Sequence, residues 1–305
     1  MSARTSDKRK KCRTGKGVCG EMAKILLSAD STCDVSGELL ERCKAKLIPL
    51  HIILNEKSYD DGVNIKPDDI YANFAKTGKL PKTSAINTQE YIDIFKPYID
   101  DGYDVIHINL GSALSSSYQN CVTASGEFDG HLYPINSCNL SSGSGHLVIE
   151  TAKRIEKGMT APEIAEEIKA LVPKCHTSFV IDKLDYLRAG GRCSTLAMLG
   201  ANLLQLKPSI EVNNNDGSMT VGKKYRGKLE NVLIQYVHEQ LDKYENIRND
   251  KIFITHAGIG DKYVEIVKNE LDKLHYFTEI FIERASCTIS SHCGPGTLGI
   301  LFMTE

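Results

Sequence analysis

The sequence predicts an α/β protein of two α/β domains, the first a doubly wound, mainly parallel sheet and the second a smaller α/β unit. Three observations carry that expectation. Strand-like apolar runs alternate with helix-like segments over roughly 130 residues, the pattern of a sheet with helices on both faces. Residues 47–54 read as one apolar strand, as expected where both faces are covered. Beyond Pro173 a shorter second series begins, which places the domains at 21–173 and 174–305, behind a basic and disordered arm at 1–20.

Residues 24–28 form the first strand, and Asp30-Ser31-Thr32-Cys33-Asp34 follow it as a polar loop. Ser36 is placed to cap a helix over 37–46, where Leu39, Leu40 and Cys43 recur at helical spacing. After the strand at 47–54 and the turn Asp60-Asp61-Gly62, Pro67 opens a helix that closes at Thr77-Gly78. The loop 81–87 leads to a helix over 89–101 capped by Thr88, its inner face marked by Tyr91, Ile94, Phe95 and Tyr98. A strand at 104–110 runs into the serine-rich loop 111–118 and a helix ending near 128. A strand at 132–135 and a long helix from Ser141, with Gly143-Ser144-Gly145 inside it, follow. Ligands of such sheets bind beyond the C-terminal strand ends. Three successive strand ends here carry hydroxyl-rich loops, which should therefore converge.

Pro162-Glu163 start a connecting helix, and a strand at 176–181 opens the second unit. In Leu184-Asp185-Tyr186-Leu187-Arg188-Ala189-Gly190-Gly191-Arg192 the two glycines can end a helix and aim the arginine. Arg192 reads either as a surface residue beyond a helix cap or as a fork of donors for a carboxylate or phosphate. Residues 193–206 carry no charge, so a helix there is either covered on all sides or lines an apolar cavity. A hairpin of 208–212 and 218–223 turns through Asp216-Gly217. Helices at 228–244 and 261–274 then alternate with strands at 251–256 and 278–283, and 297–303 is the terminal strand.

Composition narrows the setting. With 305 residues, 41% hydrophobic and 25% charged, the chain has the makeup of an ordinary globular protein. The net charge is -2, yet Arg4, Lys8, Arg9, Lys10, Lys11, Arg13 and Lys16 crowd the first twenty positions. That arm reads as a solvated tail, with a nucleic-acid or membrane-surface contact as the lesser reading. It is no secretory signal, because Ile25-Leu26-Leu27 is too short an apolar run. No stretch approaches the roughly 18 apolar residues that span a bilayer, so stable membrane insertion is not expected. The ten cysteines have no CxxC spacing and sit in apolar or helical segments, as reduced thiols of a cytoplasmic protein would.

Several familiar chemistries fail on spacing or context. Gly294-Pro295-Gly296-Thr297-Leu298-Gly299 satisfies the dinucleotide pattern literally but precedes a strand rather than a helix. Walker A, GxSxG and HExxH patterns are absent, and neither a metal nor a cofactor is expected. Asp30 and Asp34 are wrongly spaced for an Asp-x-Asp phosphoryl-transfer pair and read as helix caps. What remains is a set of hydroxyls, Thr83, Ser84, Ser112, Ser115, Ser117 and Ser137, together with Arg192 and His292. Singly, each hydroxyl is more often a cap than a ligand. Together they would make a cup for one small anionic group, with no activated nucleophile and no general base beyond His292. Such a cup beside an apolar wall describes the two ends of a fatty acid. Burial worth about 0.8 kcal/mol per methylene would supply affinity while the cup fixes orientation. The competing reading is an α/β enzyme acting on a small phosphorylated or carboxylated substrate, with His292 as acid/base.

Asp30-Ser31-Thr32-Cys33-Asp34, Thr83-Ser84, the loop from Ser112 to Gln119, Leu184 to Arg192 and His292-Cys293-Gly294-Pro295-Gly296 occur in the order seen in the DegV-like fatty-acid-binding family. The chain resembles that family from Lys24 to its C-terminus. The resemblance implies two domains enclosing one long-chain fatty acid in a pocket between them, in a protein without catalysis of its own. It also implies a partner, since bacterial members hand the carboxylate to a separate fatty acid kinase and keep the acyl phosphate bound. By position, Thr83 and Ser115 would hold the carboxylate, with Ser84 and Ser112 close by and Arg192 and His292 at the head-group opening. Three departures keep the hydroxyls but alter loop shape. Thr83-Ser84-Ala85-Ile86-Asn87 stands where the family usually has Thr-Ser-Gln-Pro-Ser, Asn136-Ser137 where it has Asp-Ser, and Ser116 where Gly is common.

Overall fold

The computed structural model describes residues 24–193 and 206–305. β1 (Lys24–Asp30) ends in a 3-10 turn at Ser31–Cys33, and α1 (Gly37–Cys43), β2 (Lys46–Ile48), β3 (His51–Leu54), β4 (Lys57–Asp60) and α2 (Pro67–Thr77) follow. Next come β5 (Lys82–Ser84), α3 (Thr88–Asp100), β6 (Tyr103–Asn109), α4 (Ser117–Ser125), β7 (Leu132–Asn136), α5 (Ser142–Glu156) and α6 (Ala161–Leu171). The later part contains β8 (Cys175–Val180), α7 (Asp185–Gly190), β9 (Leu206–Val212), β10 (Met219–Arg226) and α8 (Leu229–Asp242). It closes with β11 (Lys251–His256), α9 (Asp261–Leu274), β12 (Glu279–Arg284), α10 (Cys287–Cys293) and β13 (Leu298–Met303).

Alternation along the strands sorts the side chains into layers. On β6, Val105 packs with Tyr91 and Phe95 of α3 and Cys121 of α4, whereas Ile106 and Ile108 face Leu147 of α5 and Ile164 of α6. The sheet β2-β1-β6-β7 is therefore parallel throughout and covered by helices on both faces, as the sequence predicts. A small antiparallel sheet, β4-β3-β5, lies apart from it in the pairing. The third sheet has six strands in the order β10-β9-β8-β13-β11-β12, antiparallel except for β11 with β12. The later part of the chain thus carries the wider sheet, and its hairpin β9–β10 turns where Asn213 to Gly217 place it.

One expected strand is two. Pro49 has no N–H for a ladder, so β2 leaves the parallel sheet after Ile48 and β3 begins a different sheet at His51. Between them the Leu50 N–H donates to Ser31 Oγ at 3.2 Å. α3 is capped one residue earlier than expected. The Asn87 side chain accepts from the Glu90 N–H while Glu90 reaches back to the Asn87 N–H. Ser36 does stand at the N-cap of α1, but its hydroxyl bonds Glu283 at 2.5 Å instead of the helix. The uncharged run at 194–205 and the basic arm at 1–20 lie outside the described residues.

α5 joins the two large sheets. Its first eleven residues, Ser142 to Ala152, are buried, and it packs on β1 and β6 on one side and on β8 and β13 on the other. Gly143 and Gly145 make that approach possible. A Cβ on Gly143 would lie 2.2 Å from Asn139 Oδ1 and 2.3 Å from Thr177 Oγ1, and one on Gly145 would lie 2.8 Å from the Cys33 carbonyl. Among the described residues the eight cysteines are buried, and no helix is long and apolar enough to cross a membrane.

Candidate functional site

β5 carries Thr83 and Ser84, the loop between β6 and α4 carries Ser115, Arg192 follows the Gly191 cap of α7, and α10 carries His292. These five residues line one cavity of about 300 Å3. Its remaining wall is largely apolar, formed by Leu50, Leu110, Leu114, Leu140, Met219 and Ile289 among others. Ser112 is not brought to it. That residue is exposed, its Oγ accepting from Asn136 Nδ2 at 2.8 Å and its N–H donating to Asn136 Oδ1 at 3.1 Å. Ser117 and Ser137 are buried supports, Ser117 Oγ lying 3.0 Å from Ser115 Oγ and Ser137 Oγ donating to the Asn139 carbonyl.

Three buried carboxylates hold the loops of the site. Asp30 Oδ2 accepts from the Leu110 N–H at 2.8 Å while Oδ1 accepts from Tyr91 Oη at 2.9 Å and lies 3.1 Å from His107 Nε2, which anchors the end of β6. Asp61 accepts from the Cys287 N–H at 2.7 Å and from the Thr288 N–H and Ser31 Oγ at 3.1 Å, pinning the start of α10. Asp34 accepts from the Ser286 N–H at 2.9 Å and from Ser141 Oγ at 2.5 Å. The expected capping role of Asp30 and Asp34 is therefore corrected, since Asp30 makes no side-chain cap bond and both carboxylates bridge distant elements. The GxGxxG-like run serves packing, because Gly294 lets Tyr186 lie where a Cβ would come within 2.5 Å of its ring.

His292 Nε2 lies 2.9 Å from Thr83 Oγ1, and Nδ1 has no hydrogen-bond partner among the described residues. Burial first, and the nearby Arg192 charge second, push the imidazole pKa down to about 4, so the ring is neutral near pH 7. A bare ring nitrogen is tolerated inside a protein better than an orphaned N–H. The favoured tautomer therefore carries its proton on Nε2 and donates it to Thr83, which leaves the Thr83 hydroxyl proton free for an anionic oxygen. Arg192 is exposed, and its guanidinium donates to the Gly190 carbonyl at 2.6 Å. Arg192, Thr83 and His292 also line an adjoining chamber of about 270 Å3, which Lys82 shares.

Gly190 fixes the ring from behind, since a Cβ there would lie 2.4 Å from His292 Nδ1. Gly190→Ala should displace the imidazole from Thr83 and lower stability by about 1–3 kcal/mol. The measurement is thermal unfolding together with the His292 ring resonances, and an unchanged melting point with unchanged resonances would contradict it. Sequence reading missed Thr288, whose buried hydroxyl has no partner among the described residues and which also lines the cavity. It missed Met219 and the clamp Asp61 as well. α10 has seven residues, six of them buried, so no amphipathic period marks it.

A family model described as "Uncharacterised protein, DegV family" matches residues 24–305. A DegV domain-containing protein of Clostridium perfringens is 30% identical over 285 residues, covering 93% of this chain and 100% of that one. Among solved structures, a DegV family protein from Thermus thermophilus, described by its fatty acid binding, superposes with a TM-score of 0.85 at 23% identity, over 92% of this chain and 100% of that one. A stearic acid-binding protein from Eubacterium ventriosum superposes with a TM-score of 0.78 at 25% identity, over 93% and 98%.

Proposed function

This chain belongs to the DegV family, and we propose that it holds one long-chain fatty acid in the 300 Å3 cavity. The observation that carries the reading is the division of that cavity's wall, with Thr83, Ser84 and Ser115 hydroxyls and the Thr83–His292 pair beside a wall of leucine, isoleucine and methionine. The hydroxyls orient a carboxylate, and the acyl chain supplies the affinity. DegV relatives described as binding fatty acids support the same choice of ligand.

The protein acts in the cytoplasm without chemistry of its own and presents the bound acid to a separate fatty acid kinase. Arg192 supports this part of the reading, being exposed and lining both the lipid cavity and the chamber outside it. Direct catalysis by His292 is the weaker account. A ring nitrogen with a pKa near 4 is a poor general base at pH 7, and no carboxylate among the described residues orients it.

Native mass spectrometry of protein purified from a bacterial host should show the mass increment of a long-chain acid. A protein that is consistently empty and also rejects added oleate would end the proposal. Arg192→Ala should retain the acid while its phosphorylation by the kinase slows roughly ten- to hundredfold, the weight of a charged hydrogen bond. Loss of lipid with normal phosphorylation would reverse the assigned roles.

A further inference from the structure

Phosphorylation of the bound acid, on which this inference rests, would place new charge at the mouth of the lipid cavity. β5 is the last strand of its sheet, paired with β3 on one side. Two spaces adjoin it in chain order. Pro81, Lys82 and Thr83 line the outer chamber of about 270 Å3, and Thr83, Ser84 and Ala85 line the lipid cavity. Arg192 and His292 also line both, so these two and Thr83 stand where one space passes into the other. The chemistry changes there. The inner wall is rich in leucine, with Ile289 and Met219, whereas the outer wall has two cations, Lys82 and Arg192, and no carboxylate. Neither cation is neutralised by an acid among the described residues, since the Lys82 ammonium has no partner there and Arg192 donates to the Gly190 carbonyl.

The transfer joins a carboxylate oxygen to the terminal phosphorus of a nucleoside triphosphate held by the kinase. That phosphorus gives up its bond to the bridging oxygen, and the electron pair leaves with the diphosphate. No proton moves, and the single negative charge of the acid becomes about two, carried by the phosphoryl group. Apolar wall is a costly place for such a group, so it belongs on the outer side of Thr83. We propose that the outer chamber is the subsite for this phosphoryl group and that Lys82, together with Arg192, holds it there. An ammonium on a four-carbon stem serves phosphate as a mobile point charge, and a guanidinium offers it a fork of donors. The acid alone, held at the Thr83 and Ser115 hydroxyls, has no need of Lys82. Lys82 therefore favours the phosphorylated ligand over the free one.

The test titrates the full chain, freed of lipid, with palmitate and with its non-hydrolysable acyl phosphate analogue, in which a methylene replaces the oxygen between carbonyl and phosphorus. Lys82→Ala should weaken the analogue about tenfold more than it weakens palmitate, the low end for a charged hydrogen bond because the lysine is exposed. Lys82→Arg should restore most of that difference, and added salt should weaken the analogue more than palmitate. Lys79→Ala, a neighbouring exposed charge that does not line the chamber, should leave the difference unchanged. Equal losses for both ligands in Lys82→Ala would mark a merely structural lysine, and an equal effect of Lys79→Ala would mark a diffuse field, and either overturns the subsite. A wild type that binds palmitate but rejects the analogue overturns it too and leaves the lipid reading intact. A wild type that binds neither ligand overturns both.

Discussion

Glu150→Ala should destabilise the fold by about 3 kcal/mol at pH 7, the low end of the effect of breaking a buried ion pair, because Lys251 keeps Asp250 Oδ2 at 2.6 Å. Glu150, on α5, is only 5% exposed, and Lys251, on β11, only 3%. Its Oε1 accepts from Lys251 and Lys153 Nζ at 3.0 Å and from Arg248 at 3.2 Å, and its Oε2 accepts from Arg154 at 3.2 Å. Burial by itself would raise the carboxyl pKa, but Lys251, then Lys153 and Arg248, outweigh it and hold the group well below the usual range. The sign follows from that depression. The contribution is complete above the unfolded value of 4.5 and is lost as pH falls toward the folded value. Urea unfolding at neutral and acid pH is the check, and the difference between wild type and variant should shrink on acidification. A difference that is equal at both pH values, or absent at pH 7, would show that the cluster does not tie α5 to the six-stranded sheet. Replacing Glu150 and Lys251 together by Met should recover part of the loss, because the buried lysine that lost one of its two carboxylates goes too.

Asp34→Asn should act in the opposite sense and stabilise the protein above pH 7, by an amount on the order of 4 kcal/mol at most. Burial is the main cause of a carboxyl pKa raised from 3.8 to about 7, opposed by bonds from Ser141 and Ser286 and reinforced by the Asp61 charge. Between those values the native state holds a proton that the unfolded chain has released. Stability therefore falls as pH rises through that window and levels off above it. The buried histidines pull the other way. His292 has its pKa lowered to about 4, so its neutral form stabilises the fold near pH 7, and that support is lost as pH falls from 6.5. The informative quantity is thus the difference between wild type and Asp34→Asn across pH. A difference that does not grow between pH 5 and 8 would refute the assignment. Asparagine can keep both contacts, accepting from the Ser286 N–H and donating to Ser141 Oγ.

Much of the fold was readable because it depends on local periodicity. β11 and α9 begin and end where alternation and the 3.6-residue repeat place them. The parallel sheet followed from the order of elements, and the Gly191 cap from two adjacent glycines, with φ +68° at Gly191. The reading of 47–54 as one strand failed because a continuous apolar run records burial without recording which sheet does the burying. α10 escaped because Cys, Thr and Ser buried on every side leave no stripe.

The amino-acid sequence by itself determined most of the element types, the α/β class and the stock of hydroxyls, Arg192 and His292 from which a site could be built. Those properties depend on each residue and its near neighbours. Tertiary structure decided which of them meet. It set Thr83 from β5 against His292 from α10 at 2.9 Å across 209 positions, turned Ser112 outward to Asn136, and enlisted Asp34 and Asp61 as clamps. It also made α5, buried over its first eleven residues, the element that joins the two large sheets. Such choices depend on contacts between residues far apart in the chain, where close packing and the need to pair every buried polar group leave few arrangements open.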